Sequence, residues 1–420
     1  MKTVAIMGMG YVGLPLWINF SAHSKVIGID INEDRITQLN EKKSYITHFG
    51  NSKIEQALNN GAIASTDYSE VSKADAIIIC VPTPLTKNND PDLSYVISVI
   101  ERISPYLKKN QILSLESTTY PGTCDEVLAP LIQECGFEIG KDFHLVFSPE
   151  RENPGGDIEQ SAIPKLLGGF SEECSKKAEA IYNLVFDEVV IVQSLKVAEL
   201  AKLLENTYRA VNLGLINEFK FICDAMNIDA FDVVEAAATK PFGFVPYYPG
   251  PGWGGHCIPI DPFYLSWKAK EFGLSARFIE LAGEMNNNTI AWVQNKIASI
   301  LNKKNLSLSS AKILLLGLSY KENVDDARES PSLKIFQWLL DNGSTVHYSD
   351  PHFPIFPSSS SYQSDQTSVH LSDESIQNYD LVVLLTKHKA FDYDLIKESA
   401  KLILDTRGVY KPDNLNIFRG

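Results

Sequence analysis

The sequence has 420 residues, enough for two or three domains of the usual size of about 100–200 residues each. Its formal net charge of −14 argues against general binding to nucleic acid or to an anionic membrane surface. Six cysteines without a Cys-x-x-Cys spacing are typical of reduced thiols in the cytoplasm, not of a disulfide framework or a structural zinc site. Apart from the glycine-patterned start, no stretch approaches the roughly 18 apolar residues that a membrane span needs.

The first part of the chain, 1–195, alternates short β-rich runs with helical patterns. The runs that read as buried parallel strands are "TVAIMGMG", "KVIGIDI", "ADAIIICVP", "QILSLEST" and "FHLVFSPE". Such alternation predicts a doubly wound sheet with helices on both faces. We therefore expect a Rossmann-like domain here.

The pattern changes near residue 196, where more than two dozen residues run without a strong break and predict one long helix. We expect a helical central region over 196–298. A second strand-helix alternation over 299–420 begins at "AKILLLGLSY" and continues through "STVHYSD", "YDLVVLLT" and "AKLILDTRG", with "PHFPIFPSSSSYQSDQTS" as an exposed loop. The predicted fold class is α/β, with two doubly wound Rossmann-like domains joined by a central helical region that contains a long helix.

The run "GMGYVG" places Gly8, Gly10 and Gly13 between the first strand and the first helix. Glycines in that context permit a tight turn, close backbone approach to a pyrophosphate and close packing of the helix on the strand. Asp30 ends the second strand, seventeen positions after Gly13, where an acid accepts ribose hydroxyls and favours NAD over NADP. The alternative is a mononucleotide fold with an incidental acid. Arg35 lies over the adenine or is a solvated helix charge.

Three polar residues follow predicted strands in succession: Thr83 in "CVPTPL", Thr118 in "ESTTYPGT" and Glu150 in "SPERENPG". Ligands of doubly wound sheets bind beyond the carboxyl ends of the strands, so each residue is a candidate for the site. For either threonine, a helix cap or turn hydroxyl is an equal alternative. Their succession favours a site.

One cysteine stands apart from the other five, which have apolar or helical contexts. Cys257 follows "GWGG" and precedes a helix pattern with Asp261 at the N-cap and Gly273 beyond the end. A thiolate just ahead of a helix N-terminus is favoured by the helix dipole, which makes Cys257 a plausible nucleophile. Asp261 has a structural role as the cap and a catalytic role as alternatives that do not exclude each other. His256 beside Cys257 is a poor zinc site without a second pair, so we expect no metal.

On the long helix, Lys202, Asn206 and Arg209 share one face. An opposite apolar stripe contains Leu200, Leu204, Tyr208, Val211 and Leu215. A solvated polar face is the usual explanation of such a pattern. A Lys-Asn pair aimed into a cleft would instead suit the stabilisation of an oxyanion.

In the last region, Lys321 and Arg328 follow one predicted strand and Arg407 follows another. Such residues supply the local cations that an acidic protein needs to hold a diphosphate. Each is otherwise a surface charge. Their clustering at strand ends favours a site.

With these residues in view, the chain resembles the nucleotide-sugar 6-dehydrogenase family, which includes UDP-glucose dehydrogenase. The resemblance spans the whole length, because its motifs occur in family order: "GMGYVGLPL", "VPTPL", "STTYPGT", "SPER", "AELAKLLENTYRAVN", "GGHCIPIDP", "GLSYKENVDDARES" and "DTRG". It implies an NAD domain, a dimerisation region built on the central helix, a UDP-binding domain and a homodimer. It also implies two successive hydride transfers to NAD, the second from a thiohemiacetal on the cysteine.

The resemblance assigns residues to roles. Cys257 is the nucleophile, Lys202 and Asn206 stabilise oxyanions at C6, Asp261 with Thr118 handles the proton and water, and Glu150 assists thioester hydrolysis. The implied NAD contacts are Gly8, Gly10, Tyr11, Val12, Gly13, Asp30, Arg35, Thr83 and Thr118. The implied substrate contacts are Glu150, Arg151, Lys202, Asn206, Arg209, Tyr247, Gly254, Lys321, Arg328 and Arg407.

Within the family, "SPERENPG" and the "GGHC" loop are similar to enzymes that act on UDP-N-acetylhexosamines, UDP-N-acetylglucosamine above all. UDP-N-acetylmannosamine, UDP-N-acetylgalactosamine and UDP-glucose are the alternatives. The chain reads "TKPFGF" where UDP-glucose enzymes carry an arginine that crosses the dimer, and Lys240 is a candidate substitute. Two other classes stay open: an NAD or nucleotide-sugar sensor without turnover, and a 3-hydroxyacid dehydrogenase, which would leave the cysteine loop unexplained.

Overall fold

The computed structural model describes residues 1–46, 49–86, 88, 90–151, 159–255, 257–359, 361–413 and 415–420. The chain divides into two compact units. The first contains Met1–Glu205 and Phe263–Ser275, and the second contains Asn206–Pro262 and Ala276–Gly420. His256 and the "ENPG" part of "SPERENPG" lie outside the described residues.

The first unit contains a sheet with the strand order β3-β2-β1-β4-β5-β6-β7-β8. Neighbouring strands pair in parallel except for β6 and β7, which are antiparallel. The strands are β1 (Thr3–Met7), β2 (Lys25–Ile29), β3 (Ile63–Ser65), β4 (Ala76–Ile79), β5 (Ile112–Leu115), β6 (His144–Phe147), β7 (Lys165–Gly169) and β8 (Val189–Val192). The helices of this part are α1 (Gly13–Ser21), α2 (Glu33–Asn40), α3 (Asn51–Asn59), α4 (Ser94–Ile103), α5 (Ala129–Glu134) and α6 (Glu172–Tyr182).

The inner strands of this sheet are apolar along their whole length because helices cover both faces. Val4 and Ile6 of β1 point into one apolar cluster, and Ala5 and Met7 point into the other. The five strands predicted in this part of the chain are confirmed. The strands β3, β7 and β8 were not predicted, since β3 has three residues, β7 begins with a lysine and β8 is only partly buried.

The second unit contains a parallel sheet with the order β10-β9-β11-β12-β13. Its strands are β9 (Lys312–Leu316), β10 (Thr345–Ser349), β11 (Leu381–Leu384), β12 (Ile403–Asp405) and β13 (Ile417–Arg419). The remaining helices of the chain are α7 (Leu195–Ala225), α8 (Ala230–Ala238), α9 (Asp261–Glu271), α10 (Arg277–Lys303), α11 (Pro331–Asp341), α12 (Asp373–Gln377) and α13 (Tyr393–Ser399). The predicted fold class, with two Rossmann-like sheets and a long central helix, is confirmed. Only β13, a three-residue strand, was not predicted in this region.

In both sheets, the turn after the sheet's first strand in chain order is fixed by a glycine and by an aspartate that accepts a main-chain amide. In one sheet, Gly8 follows β1 with φ +93°, and Asp30 at the end of β2 accepts the Met9 amide at 2.7 Å. In the other, Gly317 follows β9 with φ +88°, and Asp350 at the end of β10 accepts the Leu318 amide at 2.7 Å. A positive φ favours glycine in both turns.

The long helix α7 has an unusual distribution of side chains. Lys202 and Asn206 are buried, whereas Leu204 and Leu215 are 65% and 61% exposed. A surface helix normally buries its apolar stripe and exposes its polar face. In α7 a polar face is buried and an apolar stripe is left exposed. Arg209, predicted to share the polar face, is exposed.

The segment 351–368 was predicted to be an exposed loop. Its described residues belong to none of the helices and sheet strands given above. Over the part of the chain that the structure describes, each helix is too short or too polar to cross a bilayer.

Within the second unit, the last strand is fixed by a buried charge cluster. Arg419 donates to Asp405 at 2.7 Å and to Asp229 at 2.6 Å, and its guanidinium lies 4.8 Å from the ring centroid of Phe231. Asp405 is fully buried and Asp229 is nearly so. The arginine therefore neutralises two carboxylates that are largely withdrawn from water.

We expect Arg419→Met to lower the free energy of unfolding by about 3–5 kcal/mol, because it leaves two buried carboxylates without their cation. Urea denaturation followed by circular dichroism measures the change. Lys401→Met is the control, since Lys401 is exposed and lies 3.8 Å from Asp380. Equal losses in the two variants would contradict the assignment of a stabilising role to this cluster.

Candidate active site

The glycine-rich turn after β1 has the geometry of a dinucleotide site. A Cβ at Gly8 would lie 2.7 Å from the carbonyl oxygen of Cys80, and a Cβ at Gly13 would lie 1.8 Å from the carbonyl oxygen of Gly8. Both glycines are therefore required by packing. Gly10 differs, because a Cβ there would meet nothing within 4 Å. The open space beside Gly10 is where a phosphate can approach the backbone.

A pocket of about 300 Å³ lies beside this turn and is lined by Gly10, Tyr11, Arg35 and Tyr45, among others. Arg35 lies 3.4 Å from the Asp30 carboxylate and 5.6 Å from the ring centroid of Tyr45. The Tyr45 hydroxyl donates to the carbonyl of Met9 within the turn. Burial raises the pKa of Tyr45, so this hydroxyl stays protonated. The lining therefore combines aromatic rings with the cation of Arg35 and the carboxylate of Asp34, which suits an adenosine.

The strand ends of this unit are bonded to one another. Thr83 donates its hydroxyl to the carbonyl of Thr118 at 2.7 Å, and Ser117 donates to Val81 at 2.6 Å. The Tyr264 hydroxyl, on α9, donates to the carbonyl of Thr83 at 2.6 Å. These bonds fix the edge of the sheet beyond β4 and β5. The Thr118 side chain is half-buried.

Glu150 lies just beyond β6 and is held through both its backbone and its side chain. Lys202 donates to the Glu150 carbonyl, and Gln160 donates to its carboxylate at 3.3 Å. Asn19 donates to Gln160 at 2.6 Å. The structure thus brings the Lys202 ammonium to the main chain of Glu150. Arg151 bonds the carbonyl of Pro164 at 3.0 Å and pairs with a carboxylate on α7, so its guanidinium is already engaged.

In the second unit, helix side chains hold the backbone of the loop that precedes Cys257. Asn217 and Lys220, one turn apart on α7, bond the N–H and the carbonyl of Gly250 at 3.0 and 2.9 Å. Asn286 on α10 accepts from the Trp253 amide at 2.6 Å. The loop is therefore fixed by bonds to its main chain. Lys220 is buried beside Arg407, and these causes together lower its pKa to about 7.

The two glycines before the cysteine lie against an aromatic ring. A Cβ at Gly254 would be 2.7 Å from the Cβ of Tyr320, and one at Gly255 would be 2.9 Å from the Tyr320 ring. Gly255 also has φ +85° and donates to the carbonyl of Arg328 at 2.8 Å. No larger residue fits at either position. Cys257 itself is exposed, so its sulfur is not sealed in packing.

The cysteine leads directly into α9. The Asp261 amide donates to the Cys257 carbonyl at 2.8 Å. The Asp261 side chain accepts from Asn206 at 2.5 Å, and both side chains are buried. Asp261 is the first residue of α9, one position inside the predicted N-cap, and Gly273 follows the helix end with φ +69° as predicted. A carboxylate and an amide are thus held one turn from the thiol.

Cations and tyrosines surround this loop in the same unit. Burial, the carboxylate of Asp326 and the charge of Cys257 raise the pKa of Tyr320 to about 12. Burial and the nearby charge of Arg209 lower the pKa of Lys321. Burial and Tyr208 raise the pKa of the half-buried Tyr247, and the charge of Arg209 only partly opposes them. The neighbourhood is positive, which suits an anionic ligand.

Arg407 and Arg328 differ in their surroundings. Arg407 donates to the carbonyl of Leu385 at 2.6 Å, and one of its nitrogens would lie 2.8 Å from a Cβ at Gly250. Arg328 forms a bidentate pair with Asp326, from Nε to Oδ1 at 3.0 Å and from Nη2 to Oδ2 at 2.7 Å, and its side chain is exposed. Arg407 therefore belongs to the cation cluster around the loop. The charge of Arg328 is balanced by its own neighbour.

Several residues of the site were not found by sequence reasoning: Tyr45, Gln160, Lys220, Tyr264 and Tyr320. Their contacts join segments far apart in the chain, such as Tyr264 with Thr83, 181 positions away. Lys220 carried a usable signal, since it lies on the same face of the long helix as Asn206 at helical spacing. Tyr320 adjoins the predicted Lys321. The other three carry no local signal.

Three family models match the chain in order. They describe the NAD binding domain, the central domain and the UDP binding domain of the UDP-glucose/GDP-mannose dehydrogenase family and match residues 2–186, 196–288 and 314–412. The chain belongs to the UDP-glucose/GDP-mannose dehydrogenase family.

Its relatives in this family include enzymes named for N-acetylated sugars. The chain is 34% identical over 429 residues to UDP-N-acetyl-D-mannosamine dehydrogenase of Methanococcus maripaludis strain C7, covering 97% of this chain and 93% of the relative. It is 32% identical over 391 residues to UDP-N-acetyl-D-glucosamine 6-dehydrogenase of Pseudomonas aeruginosa, covering 92% and 91%. Among solved structures, UDP-D-ManNAc dehydrogenase of Pyrococcus horikoshii matches with a TM-score of 0.88 at 28% identity, covering 100% and 99%.

As a member of this family, the chain is an NAD-dependent dehydrogenase of the UDP-sugar class. The turn after β1 fits NAD, because Gly10 leaves space for phosphates and Asp30 presents a carboxylate at the end of β2. Within the described part of the chain, the His, Cys, Asp and Glu side chains form no group that could hold a metal ion.

We expect Asp30→Asn to weaken NAD binding about tenfold or more, since a hydrogen bond to a charged acceptor is worth about 1.5–3 kcal/mol. The preference for NAD over NADP should narrow as well, because the variant no longer repels a 2′-phosphate. Fluorescence titration with each dinucleotide measures both effects. Glu33→Gln, at an exposed position on α2, is the matched control. An unchanged NAD affinity in Asp30→Asn would mean that Asp30 only holds the turn.

Proposed function

We propose that this protein oxidises the C6 alcohol of a UDP-N-acetylhexosamine to a carboxylate, using NAD twice and Cys257 as a covalent anchor. The observation that carries the proposal is the exposed thiol of Cys257 at the end of a backbone-anchored loop, one turn ahead of the buried Asn206–Asp261 pair. A thiol that only fills space has no need of either feature. NAD, when bound, supplies the hydride acceptor for both oxidations.

We assign each step of the proposed reaction to a residue described above. The Cys257 thiolate adds to the C6 aldehyde, and the thiohemiacetal then loses a hydride to become a thioester. Lys202 and Asn206 donate to the oxygen on C6 while it carries negative charge. Asp261 and Thr118 handle the proton and the water, and Glu150 takes a proton from the water that cleaves the C–S bond. A tethered intermediate lets both oxidations occur without release of an aldehyde.

The nucleotide part of the substrate suits the cation cluster of the second unit. Lys321 and Arg407 supply positive charge around the loop, and a diphosphate is the complementary ligand. Tyr247, Arg209 and Gly254 are proposed as further substrate contacts. Arg328 is the weaker candidate, because Asp326 already neutralises it.

The motifs around the cysteine favour UDP-N-acetylglucosamine as the hexosamine. UDP-N-acetylmannosamine is the second candidate, favoured by the 34% identity to an enzyme named for that sugar. The two differ only in configuration at C2. Lys240 lies 4.9 Å from the ring centroid of Phe242, and we propose that it stands in for the arginine of UDP-glucose enzymes.

A panel of UDP-sugars, assayed by NADH absorbance with the full-length protein, tests the substrate and the four-electron stoichiometry. We expect about two NADH per sugar consumed and a higher kcat/KM for UDP-N-acetylglucosamine than for UDP-glucose. A higher value for UDP-N-acetylmannosamine would select the second candidate. One NADH per sugar with an aldehyde product would contradict the thioester route.

We expect Cys257→Ala to abolish uronate formation while leaving UDP-sugar binding within about threefold of wild type, because the exposed thiol contributes little to packing. Mass spectrometry of the product and calorimetric titration measure the two quantities. Cys135→Ala is the control, since Cys135 is only partly buried and lies outside the site. Uronate formed by Cys257→Ala at the wild-type rate would overturn the covalent mechanism.

We further propose a cytoplasmic homodimer that pairs through α7. The exposed apolar residues of this helix are Val197, Leu200, Leu204, Tyr208, Leu215 and Ile222, and the exposed Met226 follows directly after its end. Exposed stripes of this kind on a surface helix mark protein interfaces. The division into domains 1–195, 196–298 and 299–420 stays a prediction, as does the cytoplasmic location inferred from the cysteine pattern.

We expect Leu215→Glu to convert the dimer to a monomer, because it places a charge in the stripe at a position that is 61% exposed and therefore has little part in folding. Light scattering after gel filtration gives the mass. Leu415→Glu is the matched control, at a leucine that is 70% exposed elsewhere in the second unit. A wild-type mass in Leu215→Glu would place the interface elsewhere.

A further inference from the structure

A buried ion pair lies behind Glu150 in the first unit. Lys165 opens β7 and is 3% exposed, and Glu116 follows β5 and is 1% exposed. The Lys165 ammonium donates to the Glu116 carboxylate at 2.6 Å and to the carbonyl of Pro149 at 3.3 Å. It also lies 5.4 Å from the ring centroid of Tyr182. A lysine at the start of a buried strand is rare unless it is paired.

The second oxygen of Glu116 is also occupied. The Tyr182 hydroxyl donates to it at 2.7 Å, and Ser114 contacts the same hydroxyl at 2.7 Å. Burial disfavours the charge on Lys165, but the charges of Glu116 and Glu150 prevail and raise its pKa. The lysine is therefore a cation that faces two carboxylates.

Two lysines hold the Pro149–Glu150 segment by hydrogen bonds to its main-chain carbonyls. Lys165 holds the carbonyl of Pro149, and Lys202 holds the carbonyl of Glu150. The Glu150 carboxylate is held separately by Gln160. Loops beyond strand ends are ordinarily the mobile part of such a sheet. Here the Pro149–Glu150 segment is bonded to the side chain of Lys165, which is itself buried and paired with Glu116.

We propose that Lys165 is a positioning residue for Glu150, holding the Pro149–Glu150 backbone in the place where the Glu150 carboxylate meets water. The inference rests on the proposed thioester route and deepens it. In the step concerned, a water oxygen bonds to the thioester carbon, the C–S bond breaks and Cys257 leaves as thiolate, while the water proton passes to Glu150. A displacement of the base by about 1 Å slows such a step strongly.

A purely stabilising role predicts something different. Buried ion pairs are often replaced by apolar residues of similar size without loss of stability. If Lys165 and Glu116 served only packing, replacing both together would leave every chemical step at its normal rate. If Lys165 positions Glu150, the hydrolytic step alone should slow.

The experiment uses the full chain with NAD and the best substrate of the panel. The test variant is Lys165→Met with Glu116→Gln, which removes both charges and leaves no carboxylate stranded. Lys165→Arg is the conservative variant, because a guanidinium still donates to Pro149 and Glu116. Lys73→Met is the control, at a lysine that is 63% exposed and pairs with Glu70. Single-turnover reactions are quenched in acid, and the mass of intact protein reports the adduct on Cys257.

We expect the double variant to form the first NADH at near the wild-type rate, to accumulate the thioester and to release uronate about tenfold more slowly. Lys165→Arg should restore release to within about threefold, and Lys73→Met should match wild type. Release at the wild-type rate from the double variant would overturn the inference. If the double variant does not fold, Lys165→Gln decides, because the shorter, neutral side chain loses the bond to the Pro149 carbonyl. Release at the wild-type rate from that variant would overturn the inference. A wild-type protein that never forms the adduct would instead refute the proposed function.

Discussion

The loop that carries Cys257 depends on hydrogen bonds that helix side chains make to its main chain. A glycine-rich loop loses more conformational entropy on ordering than other segments and has few side chains with which to offset that loss. Asn217, Lys220 and Asn286 supply the missing contacts through Gly250 and Trp253. The result is a fixed backbone with an exposed thiol at its end. If the loop were held by packing of its own side chains, the sulfur would be covered by the same packing.

The need for polar side chains that bond the loop explains why α7 has a buried polar face. Each anchor is a polar side chain, and the anchors must face the loop, so the buried face of the helix carries amides and an amine in addition to apolar residues such as Leu203. Asn206, Asn217 and Lys220 are all buried. Buried polar groups are tolerated when they are bonded, and each of these is. Several larger apolar residues of the helix, such as Leu204 and Leu215, are left exposed. The exposed apolar stripe is then a consequence of how the loop is anchored.

Sequence patterns predicted the parts of the fold that have a local cause. Runs such as Ala76–Ile79 are apolar because both faces of the sheet are covered, and the long helix lacks breakers. The edge strands β3 and β13 were not predicted, because a run of three residues is too short to show a periodic pattern. In the site, motif residues such as Cys257 and Asp30 were found because chemistry fixes their spacing. Supporting residues such as Tyr264 and Lys165 were not, since their partners are distant in sequence and their roles exist only after folding.

The two sheets show how one turn can serve two kinds of ligand. Asp30 and Asp350 occupy equivalent places and bond the equivalent amide. Asp30 lies 3.4 Å from Arg35, which lines the pocket beside Gly10. Asp350 is closed over by the buried ring of His388, whose nitrogen lies 3.2 Å from its carboxylate. The two acids therefore differ in their partner, which is the guanidinium of Arg35 in the first sheet and the buried imidazole of His388 in the second. In the second sheet the cations that follow the strand ends, Lys321 and Arg407, are the groups that suit an anionic diphosphate.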